Sequence, residues 1–227
     1  MGRELSSGVR CVDYKSVSVQ TISRLPKYLN YLKALPKGEV TNISATGIAE
    51  ALGLNDVQVR KDLSLVSDGG RPKVGYAIED LIYDIEHFLG YDDTHTAVLV
   101  GAGNLGRALL SYSGFAEYGL DILAAFDADP ALVGREINGK PIFPMEKLSE
   151  VCAQRQVKIG IITVPNYEAQ HVCDLLVQSG VQAIWNFAPV HLTVPADVLM
   201  QSENMACSFA LLSKHLSEKL KPARLSK

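Results

Sequence analysis

Apolar residues recur with a helical period through the first third of the chain and as short unbroken runs further on, so the two regions are expected to fold differently. Ser23 is a candidate N-cap, with Pro26 in the first turn of the helix it opens. Leu25, Tyr28, Leu29, Leu32 and Leu35 follow at helical spacing until Pro36-Lys37-Gly38 stops the helix. A second helix starts after Ser44, turns Ile48, Ala49 and Leu52 inward and ends at Gly53. Asn55 caps a third, predicted from Asp56 to about Ser67. Helix, short helix, turn and helix in this order make a helix-turn-helix. In the third helix Val59, Leu63 and Val66 lie at i, i+4 and i+7 and form its core face. Gln58, Arg60, Lys61 and Ser64 therefore face away, and their amide, guanidinium, ammonium and hydroxyl groups suit base edges and phosphates. An ordinary solvated face is the other reading of the same four residues. Gly69-Gly70-Arg71-Pro72-Lys73-Val74-Gly75-Tyr76 then predicts the hairpin wing of a winged helix, with Arg71 and Lys73 at its tip for phosphates or a minor groove. A helix over 78–89, ended by Gly90, leads to a linker at 91–95.

Beyond the linker the pattern changes to that of a buried parallel sheet. Thr96-Ala97-Val98-Leu99-Val100 is a continuous apolar run feeding into Gly101-Ala102-Gly103-Asn104-Leu105-Gly106 and a helix to about Tyr112. A Gly-x-Gly-x-x-Gly between a strand and a helix is the context in which that motif binds a dinucleotide pyrophosphate at a helix N-terminus. A second strand, Ile122 to Phe126, ends in Asp127, 21 residues after Gly106, where a carboxylate can bond the adenosine ribose. Asp129 follows with no Lys or Arg beside it, which favours NAD(H) over a 2′-phosphorylated cofactor. Strands over 158–164 and 183–187 with a helix over 167–179 between them continue a doubly wound sheet. Thr163, Pro165, Asn186 and Phe187 are expected at strand ends on the cofactor side. A last helix, about 208–220, spaces Phe209, Leu212, Leu216 and Leu220 along one apolar face, and a basic tail with Lys221 and Arg224 follows. Such a helix closes its own domain or packs on another subunit.

Charge sharpens this division. Residues 1–76 carry 11 Lys and Arg against 7 Asp and Glu, whereas residues 77–227 carry 11 against 18, so the front is expected to meet a polyanion. No apolar run reaches the roughly 18 residues of a membrane span. The first 20 residues lack the apolar stretch of a signal peptide and read as a flexible tail, although Met1 to Ser6 fits the loose myristoylation pattern. Cys11, Cys152, Cys173 and Cys207 are widely spaced, with neither a Cys-x-x-Cys nor a nearby His, so no metal is expected and the thiols are read as buried and inert. Such thiols fit a reducing, cytoplasmic setting.

Val57-Gln58-Val59-Arg60-Lys61-Asp62-Leu63-Ser64, Val74-Gly75-Tyr76, Gly101 to Gly106, Tyr112-Ser113-Gly114-Phe115, Phe126-Asp127-Ala128-Asp129-Pro130, Thr163-Val164-Pro165 and Asn186-Phe187-Ala188-Pro189-Val190 occur in one order. Together they resemble the Rex family of redox-sensing transcriptional repressors, over about 21–216. The resemblance implies an α/β chain: a flexible tail at 1–20, a winged-helix DNA-binding domain at 21–90, a Rossmann NAD(H)-binding domain at 96–205 and an exchanged helix and tail at 206–227. It implies a cytoplasmic homodimer that binds an inverted-repeat operator when NADH is scarce and leaves it when NADH is high. It places Tyr112 on the cofactor side, where family members use such a Tyr with an Arg on the first helix and an Asp before the exchanged helix to hold the DNA-binding state. By ungapped matching those charged positions hold Asn30 and Asn204 here, with Glu203 as the carboxylate if a gap lies near Met200. The family wing commonly carries Arg-Gly before Val-Gly-Tyr; Pro72-Lys73 stands there, with Arg71 one step earlier. Competing readings are a regulator blind to redox state, a CoA-ligase-like Rossmann domain, and an NAD-dependent dehydrogenase using His171, His191 or Lys158, which fall in no recognisable catalytic motif.

Overall fold

A computed structural model describes residues 17–220 apart from positions 37 and 39. Cys11, the myristoylation pattern, most of the proposed tail and the basic segment after Leu220 lie outside the described residues. The chain divides into two compact units between Asp92 and Asp93.

In the first unit α1 spans Val19–Lys33 and is capped by Ser18, whose Oγ accepts from the Thr21 amide at 3.2 Å. This corrects the expected start: Ser23 is inside the helix, and its hydroxyl donates back to the Gln20 carbonyl. Pro26 is then an interior proline, not a first-turn one. A short β1 (Asn42–Ile43) precedes α2 (Ala45–Leu52), capped by Ser44 and ended by Gly53 in the left-handed region. Helix α3 (Asp56–Val66) is capped by Asn55, whose side chain accepts from the Gln58 amide. The wing follows as a tight turn in which the Gly75 and Val74 amides donate to the Arg71 carbonyl. It closes through β2 (Tyr76–Ala77), antiparallel to β1, and leads into α4 (Ile78–Leu89). Gly75 has φ +85°, and a Cβ there would strike the Ile43 carbonyl, so only glycine lets the wing lie against β1. The core of this unit joins Leu25, Tyr28 and Leu29 of α1, Ile48 of α2, Val59 and Leu63 of α3, and Leu81 and Ile85 of α4.

The second unit opens with β3 (His95–Val100), α5 (Asn104–Ser111), a 3-10 turn over Ser113–Tyr118 and β4 (Leu120–Asp127). A hairpin of β5 (Glu136–Ile137) and β6 (Lys140–Pro144) leads through α6 (Leu148–Arg155) to β7 (Ile159–Ile162). Helix α7 (Asn166–Gln178), β8 (Ala183–Asn186), β9 (Leu199–Ser202) and α8 (Met205–Leu220) complete it. The sheet order is β5-β6-β4-β3-β7-β8-β9, parallel throughout except for the β5–β6 pair. Without β5 this is the doubly wound order 3-2-1-4-5-6. Val98, Val100 and Ile162 pack with Cys152 of α6 and with Val172 and Leu176 of α7. Ala97, Leu99 and Ile161 pack with Leu110 of α5. The register slips between Ala97 and Val98, which inserts Leu123 as a bulge in β4. Ile122 and Ala125 therefore share one core, and Ala124 and Phe126 the other.

Helix α8 buries none of its residues: Met205, Phe209, Leu211, Leu212 and Leu216 are all exposed. Cys152 and Cys173 are buried as expected, and burial pushes both thiols up to about 11. Cys207 departs from that expectation, being exposed in the first turn of α8. No helix among the described residues is long and apolar enough to cross a membrane, and no group of three or more His, Cys, Asp or Glu there could hold a metal ion.

Candidate functional site

Two regions carry the chemistry. In the first unit, Val59, Asp62 and Leu63 form the buried side of α3, with Val66 packed against the same core. Asp62 is a charge at 1% exposure, a position the apolar pattern does not reveal. Its carboxylate accepts from Arg24 Nε at 2.7 Å and Nη2 at 2.9 Å, from the Tyr28 hydroxyl at 2.8 Å and from Gln58 Nε2 at 2.9 Å. Burial alone would raise the Asp62 pKa, but the hydrogen bonds from Arg24, Tyr28 and Gln58 outweigh it and hold the carboxyl below the usual range. The same bond raises the Arg24 guanidinium above its ordinary value, while burial beside Asp62 pushes Tyr28 up to about 12. The network ties α1 to α3 and satisfies the buried charge.

Of the four polar residues expected on the outer face, Arg60, Lys61 and Ser64 are exposed there. Arg60 pairs loosely with Asp56 at 3.3 Å, and the Ser64 hydroxyl donates to the Lys61 carbonyl. Gln58 is also exposed, but it bends one amide hydrogen back to Asp62. Arg71 and Lys73 are exposed in the wing, with Lys73 at φ +65°, where glycine is the easier residue.

In the second unit, β3 and β7 are adjacent in the sheet, yet the chain leaves β3 toward β4 on one side and reaches β7 on the other. Their carboxyl ends form the switch-point crevice where such sheets bind ligands. Gly101 to Gly106 run from β3 into α5, and a Cβ at Gly106 would meet the Gly101 carbonyl, so helix and loop pack only through glycine. Nothing lies within 4 Å of where a Gly103 Cβ would be, which leaves room for a pyrophosphate to approach the backbone. Thr163, just beyond β7, donates its hydroxyl to the Gly101 carbonyl at 2.7 Å and holds the loop from the far side. Asp127 holds it from β4: Oδ2 accepts from the Ala102 amide at 2.7 Å and Oδ1 from the Asp129 amide at 2.9 Å. Each oxygen keeps a lone pair for a ribose hydroxyl. Beside Asp127 lies a cavity of about 300 Å³ lined by Ala128, Pro130, Val133, Pro144, Met145 and Glu146. Its two carboxylates and lack of a cation fit an adenosine and repel a 2′-phosphate, so the residues present fit NAD(H).

The remaining candidates divide. Asn104 accepts from Arg107 at 2.6 Å, Leu105 is half-buried and Pro165 is exposed at the head of α7. Asn186 is fully buried, and its amide is spent on Ala188 and Val190, so it shapes the 187–190 loop and presents no side chain to a ligand. Tyr112, 53% exposed, starts a row of aromatic contacts through Phe115 and Trp185 to Phe187, with ring centroids 4.9, 5.7 and 4.9 Å apart. Trp185 Nε1 donates to Glu203 Oε1 at 3.0 Å, so one oxygen of that carboxylate is engaged. Asn204 caps α8, its Oδ1 accepting from Ala206 and Cys207, while Asn30 is exposed on α1. Lys158, His171 and His191 are all exposed.

Comparison with known proteins places these features together. Residues 92–190 match the family described as CoA binding domain, and residues 16–64 the one described as "Putative DNA-binding protein N-terminus". A protein of Treponema denticola named redox-sensing transcriptional repressor Rex is 41% identical over 90% of this chain and 98% of its own. A protein of the same name from Bacteroides thetaiotaomicron is 39% identical over 92% and 95%. Among solved structures, RSP in complex with β-NAD+ and operator DNA superposes with TM-score 0.84 at 35% identity, covering 89% of this chain and 94% of that one. RSP in complex with β-NADH superposes with TM-score 0.81 at 35% identity, over 90% and 96%.

Proposed function

The chain belongs to the Rex family of redox-sensing transcriptional repressors, and from that premise we propose how its residues divide the work. The protein is a DNA-binding repressor that senses the NADH/NAD+ ratio: it holds operator DNA when NADH is low and releases it when NADH is high. It is a regulator and not a dehydrogenase, as its relatives' names and its winged helix agree. The observation that carries this reading is one chain holding both an exposed cationic helix-turn-helix face and a glycine loop pinned by Asp127 and Thr163.

The cofactor, when bound, would supply a nicotinamide whose charge and planarity both differ between oxidation states. The protein supplies the rest. Gly103 admits the pyrophosphate to the first turn of α5, Asp127 takes the ribose, and Ala128, Pro130 and Met145 border the adenine. Gly101, Ala102, Asn104, Leu105 and Gly106 form the loop, Thr163 and Pro165 border it from β7, and Tyr112 and Phe187 sit at the two ends of the aromatic row. Arg60, Lys61 and Ser64 meet the major groove of one half-site, while Arg71 and Lys73 meet phosphates or the adjacent minor groove; Gln58 acts chiefly through Asp62.

The working unit is a homodimer matched to an inverted repeat. We assign 21–90 to DNA binding, 96–205 to NAD(H) and the helix that follows to exchange between subunits. The bare apolar face of α8 supports that exchange. The assembly works in the cytoplasm. The test uses Trp185, the single tryptophan. NADH should quench its emission and, over the same concentrations, release promoter DNA in a mobility shift. Quenching without release would leave a regulator blind to redox state, and neither effect would remove the reading.

A further inference from the structure

The outward face of α3 begins with an apolar residue. At about 100° per residue, Val59, Asp62, Leu63 and Val66 centre on one direction, toward the core. The opposite direction is taken by Val57, followed one and two turns later by Lys61 and Ser64. Val57 is 52% exposed in the first turn, and the N-terminal residues of a recognition helix are those that contact base edges. Its neighbour Gln58, the polar candidate at this end, has an amide hydrogen committed to Asp62. Asp62 is itself fixed by Arg24 and Tyr28, so Gln58 turns toward α1 and leaves Val57 at the tip of the face. A valine side chain has no hydrogen bond to offer, and the one apolar group that a base displays in the major groove is the 5-methyl of thymine.

We infer that Val57 is a specificity-determining residue, selecting thymine by packing its methyls on the 5-methyl group beside the contact made by Lys61. The inference rests on the repressor reading and adds which base the helix N-terminus selects, and by what chemistry. Replacing thymine by uracil removes that methyl and leaves every hydrogen-bonding edge in place, so it isolates the contact.

The test begins with duplexes that the full-length protein selects from a randomised pool. Each thymine of the consensus is then exchanged for uracil, one position at a time in both half-sites. The parent should lose about fourfold in affinity for one half-site and about fifteenfold for both, at a single thymine position. Val57→Ala should bind the uracil and thymine duplexes equally at that position, and Val57→Thr, which keeps one methyl, should retain part of the preference. Affinity for the uracil duplex equal to the parent's checks that the winged helix of both variants is folded. A parent indifferent to uracil at every position, or a Val57→Ala variant with the full uracil penalty, overturns the inference while leaving the repressor reading intact. A pool that yields no bound duplex overturns the repressor reading and this inference with it.

Discussion

Asp127 serves the loop as well as any ligand, because its carboxylate already receives the Ala102 and Asp129 amides. Asp127→Ala should therefore cost dinucleotide affinity by about 1.5–3 kcal/mol, the worth of a bond to a charged group, while operator binding persists and no longer answers NADH. Calorimetric titration of both proteins with NADH decides this, and equal affinity would remove Asp127 as the ribose ligand. Lys61 is exposed on the outer face of α3, and Arg60 has only a loose, exposed partner in Asp56. Lys61→Ala and Arg60→Ala should each weaken operator binding, by about 1–3 kcal/mol if the lost contact is to a base, and reduce the salt slope by about one if it is to a phosphate. Mobility shifts across a salt series separate the two, and unchanged affinity in both variants would dismiss α3 as the recognition helix. At this scale the sequence was readable for position, as at Asp127, which ends β4 where the apolar run stops. Asp62 was not, because a carboxylate on a helix reads as surface, and only the arrival of Arg24 and Tyr28 from another helix makes it interior.

Between elements, the Asp62 network is the polar joint of α1 and α3. Removing one partner of a buried pair costs about 3–5 kcal/mol, so Asp62→Ala should loosen α3 and weaken DNA binding without direct contact. The lowered Asp62 pKa sets the sign of the pH dependence. A carboxyl depressed in the folded state stabilises fully above its unfolded value near about 4, and that contribution is lost as pH falls through the lower folded value. Amide exchange in α1 and α3 should thus separate parent from Asp62→Asn at pH 7, with the gap closing below about pH 4; a gap independent of pH would deny the charge its role. Helices α2, α3 and α4 were legible because their caps and apolar stripes coincide, and β3 because its apolar run meets a glycine turn. Several elements were not. Strand β9 reads Leu-Met-Gln-Ser, without alternation, and belongs to the sheet only by pairing with β8. Helix α6 has only Leu148 and Cys152 buried, too few to mark a stripe, and β5 is only two residues long. Its hairpin with β6 turns on Asn138-Gly139, both with positive φ, so the turn is stronger than the strands it joins.

For the whole molecule, we propose a departure from the family pattern at the switch, where Asn30 and Asn204 would replace its charged pair. Asn204 spends its carbonyl oxygen capping α8, and one carboxylate oxygen of Glu203 accepts from Trp185. With neutral Asn30 and Asn204 in place of a charged pair, NAD+ should strengthen operator binding little, since about 1.4 kcal/mol less differential energy means about tenfold less discrimination. Titrating operator affinity with NAD+ and with NADH measures this, and a large NAD+ enhancement abolished by Asn204→Ala would reverse it. The exposed apolar face of α8 makes a separate claim: Leu212→Asp should shift sedimentation from dimer to monomer, and an unchanged dimer would place the interface elsewhere. A 16-residue helix with nothing buried is marginal alone in water, and in the exchange proposed above a second chain would cover it. Protein supply then enters the regulation. While chains are scarce relative to their dimer constant, dimer rises as the square of synthesis, so halving expression removes about three quarters of the repressor. A daughter cell that inherits few copies would open its target genes by dilution alone, before its NADH pool has changed.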